Sequence, residues 1–167
     1  SSDVCSSDLF SKFGRNELLH VAFCSLFQWA ENNGGLPRLN DEESTSAIIN
    51  LARQNYNNLK ERNVNWINNA SEFDEVVVGN VARWARAQIV PVNAFLGGVV
   101  AQEIVKFTGK YTPINQWLWF DFFETTANLK DVDRNPLGCR YDDQIAIYGR
   151  EIDRKSTRLN SSHLVIS

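Results

Sequence analysis

Apolar residues recur at helical spacing in the first half of the chain. Leu18, Leu19, Ala22, Phe23, Leu26, Phe27 and Ala30 follow Asn16, a good N-cap, and the pattern stops at Asn33-Gly34-Gly35. This predicts a first helix with a glycine stop. After the turn LPRLN, Asn40 and Glu43 supply a cap and a first-turn carboxylate ahead of Ala47, Ile48, Leu51, Ala52 and Tyr56, which predicts a second helix. The stretch 57–69 is rich in asparagine and poorly periodic, so it reads as a connector that Val64, Trp66 and Ile67 pin to the core. Ser71 is placed to cap a third helix, with apolar positions Phe73, Val76, Val77, Val81, Trp84 and Ala85, ending before Pro91.

The fourth pattern differs. Pro91 opens it, Gly109 fits the position after its end, and Val92, Phe95, Leu96, Val99, Val100, Ile104 and Phe107 cover most of the circumference. Only Gln102, Glu103, Lys106 and Lys110 form a polar stripe, so burial on most of the surface is expected. Gly97 and Gly98 sit side by side in its middle, where each costs roughly 1 kcal/mol against alanine. Next, WLWFDFF after Pro113 reads as a buried strand, too apolar for the surface and too short for a helix. A polar loop from Glu124 to Gly138 precedes RYDDQIAIYG, whose Ile145-Ala146-Ile147 core suits either a strand or a short helix. The expected class is mainly α: a helical bundle followed by the last helix and strand of an α/β sheet unit.

The two ends read as foreign. One set of codons for SDVCSSDL, residues 2–9, reverse-complemented, encodes DRKSTRLN, residues 153–160. Both flanks thus resemble translated sequencing adapter, and the absence of any Met fits an internal piece running from Phe10 to about Ile152. The flanks cancel in charge, which leaves the net charge of -3 to the middle. No basic patch is present to neutralise phosphates, which disfavours nucleic acid as a partner. No apolar run approaches the roughly 18 to 20 residues that cross a bilayer, so no membrane partner is expected. Cys5 and His163 fall in the flanks, and Cys24, Cys139 and His20 have no metal-ligand spacing, so neither zinc nor a disulfide framework is expected.

From Pro91 to Asp121 the sequence PVNAFLGGVVAQEIVKFTGKYTPINQWLWFD resembles the segment that closes the inactive adenylation half of eukaryotic ubiquitin-activating enzymes, and CRYDDQIAIYG resembles the start of their active half. The weaker upstream resemblance is to the four-helix bundle inserted in such enzymes. It implies a bundle joined to the closing helix and strand of a Rossmann-like, ThiF-type adenylation domain. The implied domains are residues 10–88 (bundle insertion), 89–124 (end of the inactive adenylation domain), 125–139 (linker) and 140–152 (start of the active domain), with 1–9 and 153–167 as adapter. The resemblance implies a parent that adenylates the ubiquitin C-terminus with ATP and magnesium, forms a thioester, and works with ubiquitin-conjugating enzymes in cytoplasm and nucleus. Both reaction sites are expected outside this piece, which leaves it no catalytic, cofactor or metal residue. In that context Gly97 and Gly98 would let a strand or a second helix approach the backbone where the two halves meet.

Several residues invite false assignments. Cys139 has no neighbouring base in sequence and precedes the active half, so it is not the expected nucleophile. Cys24 lies on an apolar helix face and reads as a core residue, and His20 as a structural histidine. Thr108-Gly109-Lys110 ends a helix and lacks the earlier P-loop glycine, so Lys110 reads as a charge complementing the helix dipole. The sequon Asn69-Ala70-Ser71 gives way to the capping reading of Ser71. Homodimeric bacterial adenylyltransferases of this superfamily carry a similar Arg-Tyr-Ser-Arg-Gln start, whose second Arg reaches the partner's ATP. Here Asp143 takes that place, and a carboxylate would repel triphosphate. Arg140, Tyr141 and Gln144, with Gly97, Gly98, Gln102 and Glu103, are therefore structural or interface candidates. Two alternatives stand beside this reading: the regulatory half of an enzyme for another ubiquitin-like modifier, and a helical interaction module with no enzymatic parent.

Overall fold

The first apolar pattern folds as helix α1 (Arg15–Asn33), and Gly34 ends it in the left-handed conformation, donating its N–H to the Ala30 carbonyl. A computed structural model describes residues 14–115, 117–126, 129 and 131–151. The flanks read as adapter, with Cys5 and His163, lie outside the described residues. Helix α2 (Glu42–Glu61) and helix α3 (Glu75–Arg83) pack with α1 into one unit of residues 14–86 and 119–123. The second unit holds residues 87–118 and 124–151, with helix α4 (Val90–Lys106) and helix α5 (Asp142–Tyr148).

The first unit closes around Leu18, Leu19, Val21, Ala22, Leu26, Ile48, Ala52, Ile67, Val78 and Ala82. Burial of these side chains at about 25 cal/mol per Å² is what holds three short helices together, since isolated helices of such length are marginal in water. Polar anchors fix the register. The buried Ser25 hydroxyl donates to the Val21 carbonyl and accepts from Asn55 Nδ2 at 2.9 Å. Tyr56 Oη donates to the Ser71 carbonyl at 2.9 Å. Arg83 grips both oxygens of Glu42 at 2.9 and 3.0 Å.

The caps fall elsewhere than the sequence suggests. Gly14, not Asn16, stands before α1, and Asp41, not Asn40, precedes α2. Asp74, not Ser71, caps α3, its Oδ1 accepting the N–H groups of Val76 and Val77. Ser71 is used differently: its N–H and hydroxyl both donate to the Gly14 carbonyl. Asp74→Ala is expected to cost about 1 kcal/mol, the usual loss for an N-cap, read as a lower urea midpoint with unchanged slope. The asparagine-rich stretch is also partly helical. α2 continues to Glu61 because Tyr56 and Leu59 still pack on the core, and a 3-10 turn at Asn65–Asn69 then buries Ile67.

Two core assignments fail. Cys24 is exposed and Phe27 is 54% exposed, because α2 and α3 cover a narrower stripe of α1 than its apolar residues span. His20 is half-buried, edge-on to Trp66 at 5.2 Å and to Trp119 at 5.4 Å between ring centroids.

WLWFDFF does not form the expected strand, and among the described residues there is no strand at all. A strand satisfies its backbone only against a neighbour, and here residues 119–123 lay side chains on the bundle instead. Trp119 stacks on Phe23 at 5.0 Å, Asp121 pairs with Arg15 at 3.1 Å, and Phe123 meets Trp84 before a 3-10 turn at Phe123–Thr126. The region read as either strand or helix resolves as α5, which buries Ile145, Ala146 and Ile147.

Candidate functional site

α4 inverts the usual arrangement of a surface helix. None of its residues is buried. The half-buried positions include Glu103 and Lys106, from the polar stripe, while Phe95, Leu96, Val100, Ile104 and Phe107 stand exposed. Fully burying one such side chain is worth about 1.5–3 kcal/mol, so a helix that leaves them exposed carries an uncovered apolar surface. The burial expected from the sequence is therefore not found among the described residues.

Gly97 and Gly98 are exposed on the same helix. A Cβ built at either meets nothing within 4 Å, so no element of the described residues makes the close approach that a glycine pair permits. Gln102 is exposed beside them. Glu103 has a local task. Lys106 Nζ donates to its Oε1 at 2.5 Å, and the N–H of Ile114 donates to its Oε2 at 2.8 Å. These bonds, the lysine's first, hold its carboxyl below the usual glutamate range, and they fold the chain after α4 back along the helix.

At the other end of the unit, Arg140 stacks over the Tyr141 ring and donates to its hydroxyl. Gln144 is half-buried on α5. The two carboxylates of the Arg-Tyr-Asp-Asp run point to different partners. Asp142 accepts the N–H groups of Leu137 and Gly138, each at 2.9 Å, and the Cys139 thiol at 3.5 Å. The Leu137 N–H is foremost in holding its carboxyl low. Asp143 Oδ2 accepts the Gln88 N–H at 3.0 Å, just before α4 begins. Sequence reasoning missed this bond, and also Arg134, which reaches the carbonyls of Leu129 and of Ile147 in α5, and Arg150, which reaches the Asn135 carbonyl.

Elsewhere, an open groove of about 400 Å³ beside the start of α3 has polar walls already engaged: Asp74 by two N–H groups, Glu75 by Arg53, and Arg15 by Asp121. Cys24 Sγ lies 3.6 Å from His20 Nε2, and although the residue is exposed, partial desolvation of its thiol raises the pKa, which disfavours the reactive thiolate. Among the described residues no cluster could hold a metal ion, and no helix is long and apolar enough to cross a membrane.

Residues 3–56 match the family described as the ubiquitin-activating enzyme E1 four-helix bundle, a span that takes in α1 and most of α2. Over 154 residues, 89% of the chain, it is 34% identical to ubiquitin-like modifier-activating enzyme 1 of Oryctolagus cuniculus. The chain belongs to the ubiquitin-activating enzyme family. Further relatives of this family are ubiquitin-activating enzyme E1 1 of Candida albicans, 35% identical over 161 residues and 90% of the chain, and ubiquitin-like modifier-activating enzyme 7 of Mus musculus, 30% identical over 158 residues and 91% of the chain. The ubiquitin-activating enzyme segment described here spans only 14% of the length of the rabbit relative and 15% of the other two.

Proposed function

We propose that the chain is the middle of an ATP-dependent ubiquitin-activating enzyme, in which it serves as scaffold and as the junction between two adenylation halves. The observation that carries this reading is α4, a glycine-paired helix with its apolar face exposed, in a chain whose relatives extend far beyond it. The partner that covers the face is the sheet of the adenylation half to which residues 89–124 belong. Residues 10–88 form the bundle insertion, 125–139 the linker and 140–152 the start of the active half. Ubiquitin and ubiquitin-conjugating enzymes are the partners of the whole protein, and ATP with magnesium is its cofactor.

The residues present do not fit a nucleotide site. The carboxylates of Asp142 and Asp143 already accept backbone N–H groups, and Arg140 is engaged with Tyr141. Nor does Cys139 fit a nucleophile, since its thiol donates to the Asp142 carboxylate and not to a histidine or lysine that would activate it. In the full-length protein, Cys24→Ala and Cys139→Ala are expected to leave ubiquitin-dependent ATP–pyrophosphate exchange and ubiquitin thioester formation within about twofold of the unaltered protein. Loss of the thioester with Cys139→Ala would contradict the reading. The similarity to modifier-activating enzyme 7 supports a second reading, in which the modifier differs. Loading with each modifier in turn separates the two.

A further inference from the structure

Residues 131–140 have the polar composition of a slack linker, yet α5 and its flank hold their backbone at Asp133, Asn135, Leu137 and Gly138. Arg134 Nε donates to the Ile147 carbonyl at 3.3 Å and its Nη2 to the Leu129 carbonyl at 3.0 Å. Arg150 donates from Nε to the Asn135 carbonyl at 3.0 Å, from its N–H to the Asp133 carbonyl at 2.9 Å, and pairs through Nη1 with the Asp133 carboxylate at 3.0 Å. Asp142 accepts the N–H groups of Leu137 and Gly138. A Cβ at Gly149 would stand 2.7 Å from Val132 Cβ, so the chain crosses the end of α5 in direct contact. Backbone groups of an ordinary loop go to water. Here cationic and anionic side chains take them, the stronger kind of hydrogen bond.

Asp143 extends this arrangement by one link. It neighbours Asp142 on α5, but its carboxylate accepts the N–H of Gln88, the residue before the Ile89 cap of α4. We propose that residues 131–150 are a prefolded clasp, and that Asp143 is a positioning residue which fixes the entrance of α4 to the first turn of α5. The inference rests on the junction reading for its purpose: whatever follows α5 inherits an orientation from α4 that the linker enforces. It also gives Asp143 a task where an ATP-directed arginine would have another.

The test is NMR-detected hydrogen exchange on the 167-residue chain. The Gln88, Leu137 and Gly138 amides are expected to exchange at least about tenfold more slowly than in an unstructured peptide, as hydrogen bonds to a charged group imply. Asp143→Ala should release Gln88 alone by about that factor, Asp143→Asn should keep part of the protection, and Asp142→Ala should release Leu137 and Gly138, whose N–H groups its carboxylate accepts. Amides of α1 to α3 serve as the folding control and should not change. A Gln88 amide that exchanges at the unstructured rate, or that ignores Asp143→Ala, overturns the clasp. In the full-length protein, slow exchange at these amides without ubiquitin loading would sink the junction reading and leave the clasp standing, and fast exchange with normal loading would do the reverse.

Discussion

Gly14→Ala is expected to destabilise the helical unit by about 3 kcal/mol or more, against about 1 kcal/mol for Gly34→Ala. Both glycines flank α1 at nearly the same backbone angle, φ 75 and φ 74. Alanine in the left-handed region costs roughly 1–2 kcal/mol, and both sites incur it. They differ in what a Cβ would meet. At Gly34 there is nothing within 4 Å, whereas at Gly14 the atom would lie 2.4 Å from Ser71 N and 2.5 Å from Asn69 O. Those are backbone atoms and cannot rotate away. Relief requires moving residues 69–71, which breaks the Ser71 to Gly14 hydrogen bond and the Tyr56 hydroxyl's bond to the Ser71 carbonyl. For a unit of this size the gap between the two variants corresponds to roughly 8–16 °C in melting temperature. Equal melting temperatures would show that the crossing of the chain at Gly14 is not tight.

This pair also shows where the sequence was legible. The Asn33-Gly34-Gly35 stop is local chemistry, readable from residue type alone, and the structure places the end of α1 there. The start of α1 is set by a chain segment more than fifty residues away, through the Ser71 to Gly14 bond, so Asn16 was a reasonable but wrong cap. Ser71 and Asp74 are both good capping residues. The choice between them turned on Gly14 and Tyr56 claiming the backbone around Ser71. For WLWFDFF, composition fixed apolarity but could not supply a pairing partner, and the rings of Trp119 and Phe123 found the bundle instead.

The candidate site divides in the same way. The apolar girth of α4 and its glycine pair are visible as a pattern, but what would cover that surface is not written in these residues. The clasp left no periodic trace, because arginines bonded to carbonyls follow no hydrophobic period. Its one readable sign was the pair of acids, Asp142 and Asp143, in the first turn of α5.

The second large effect concerns Gly98, and its sign depends on context. In the 167-residue chain, Gly98→Leu places a better helix former where a Cβ meets open space, so α4 should gain by up to about 1 kcal/mol. In the full-length protein the proposed junction presses another element against the glycine pair. The added side chain then overpacks that contact, typically by 1–3 kcal/mol and by more where backbone lies close, for which several kcal/mol is the order expected. No rearrangement inside α4 can produce both results, since the two proteins share the helix and differ in what covers it.

Thermal melting of the full-length protein with and without Gly98→Leu, beside the same comparison in the chain alone, is therefore the most direct measurement of the junction role. A marked fall in the full-length protein with no fall in the chain is the predicted result, and a full-length melting temperature left unchanged by Gly98→Leu would contradict it.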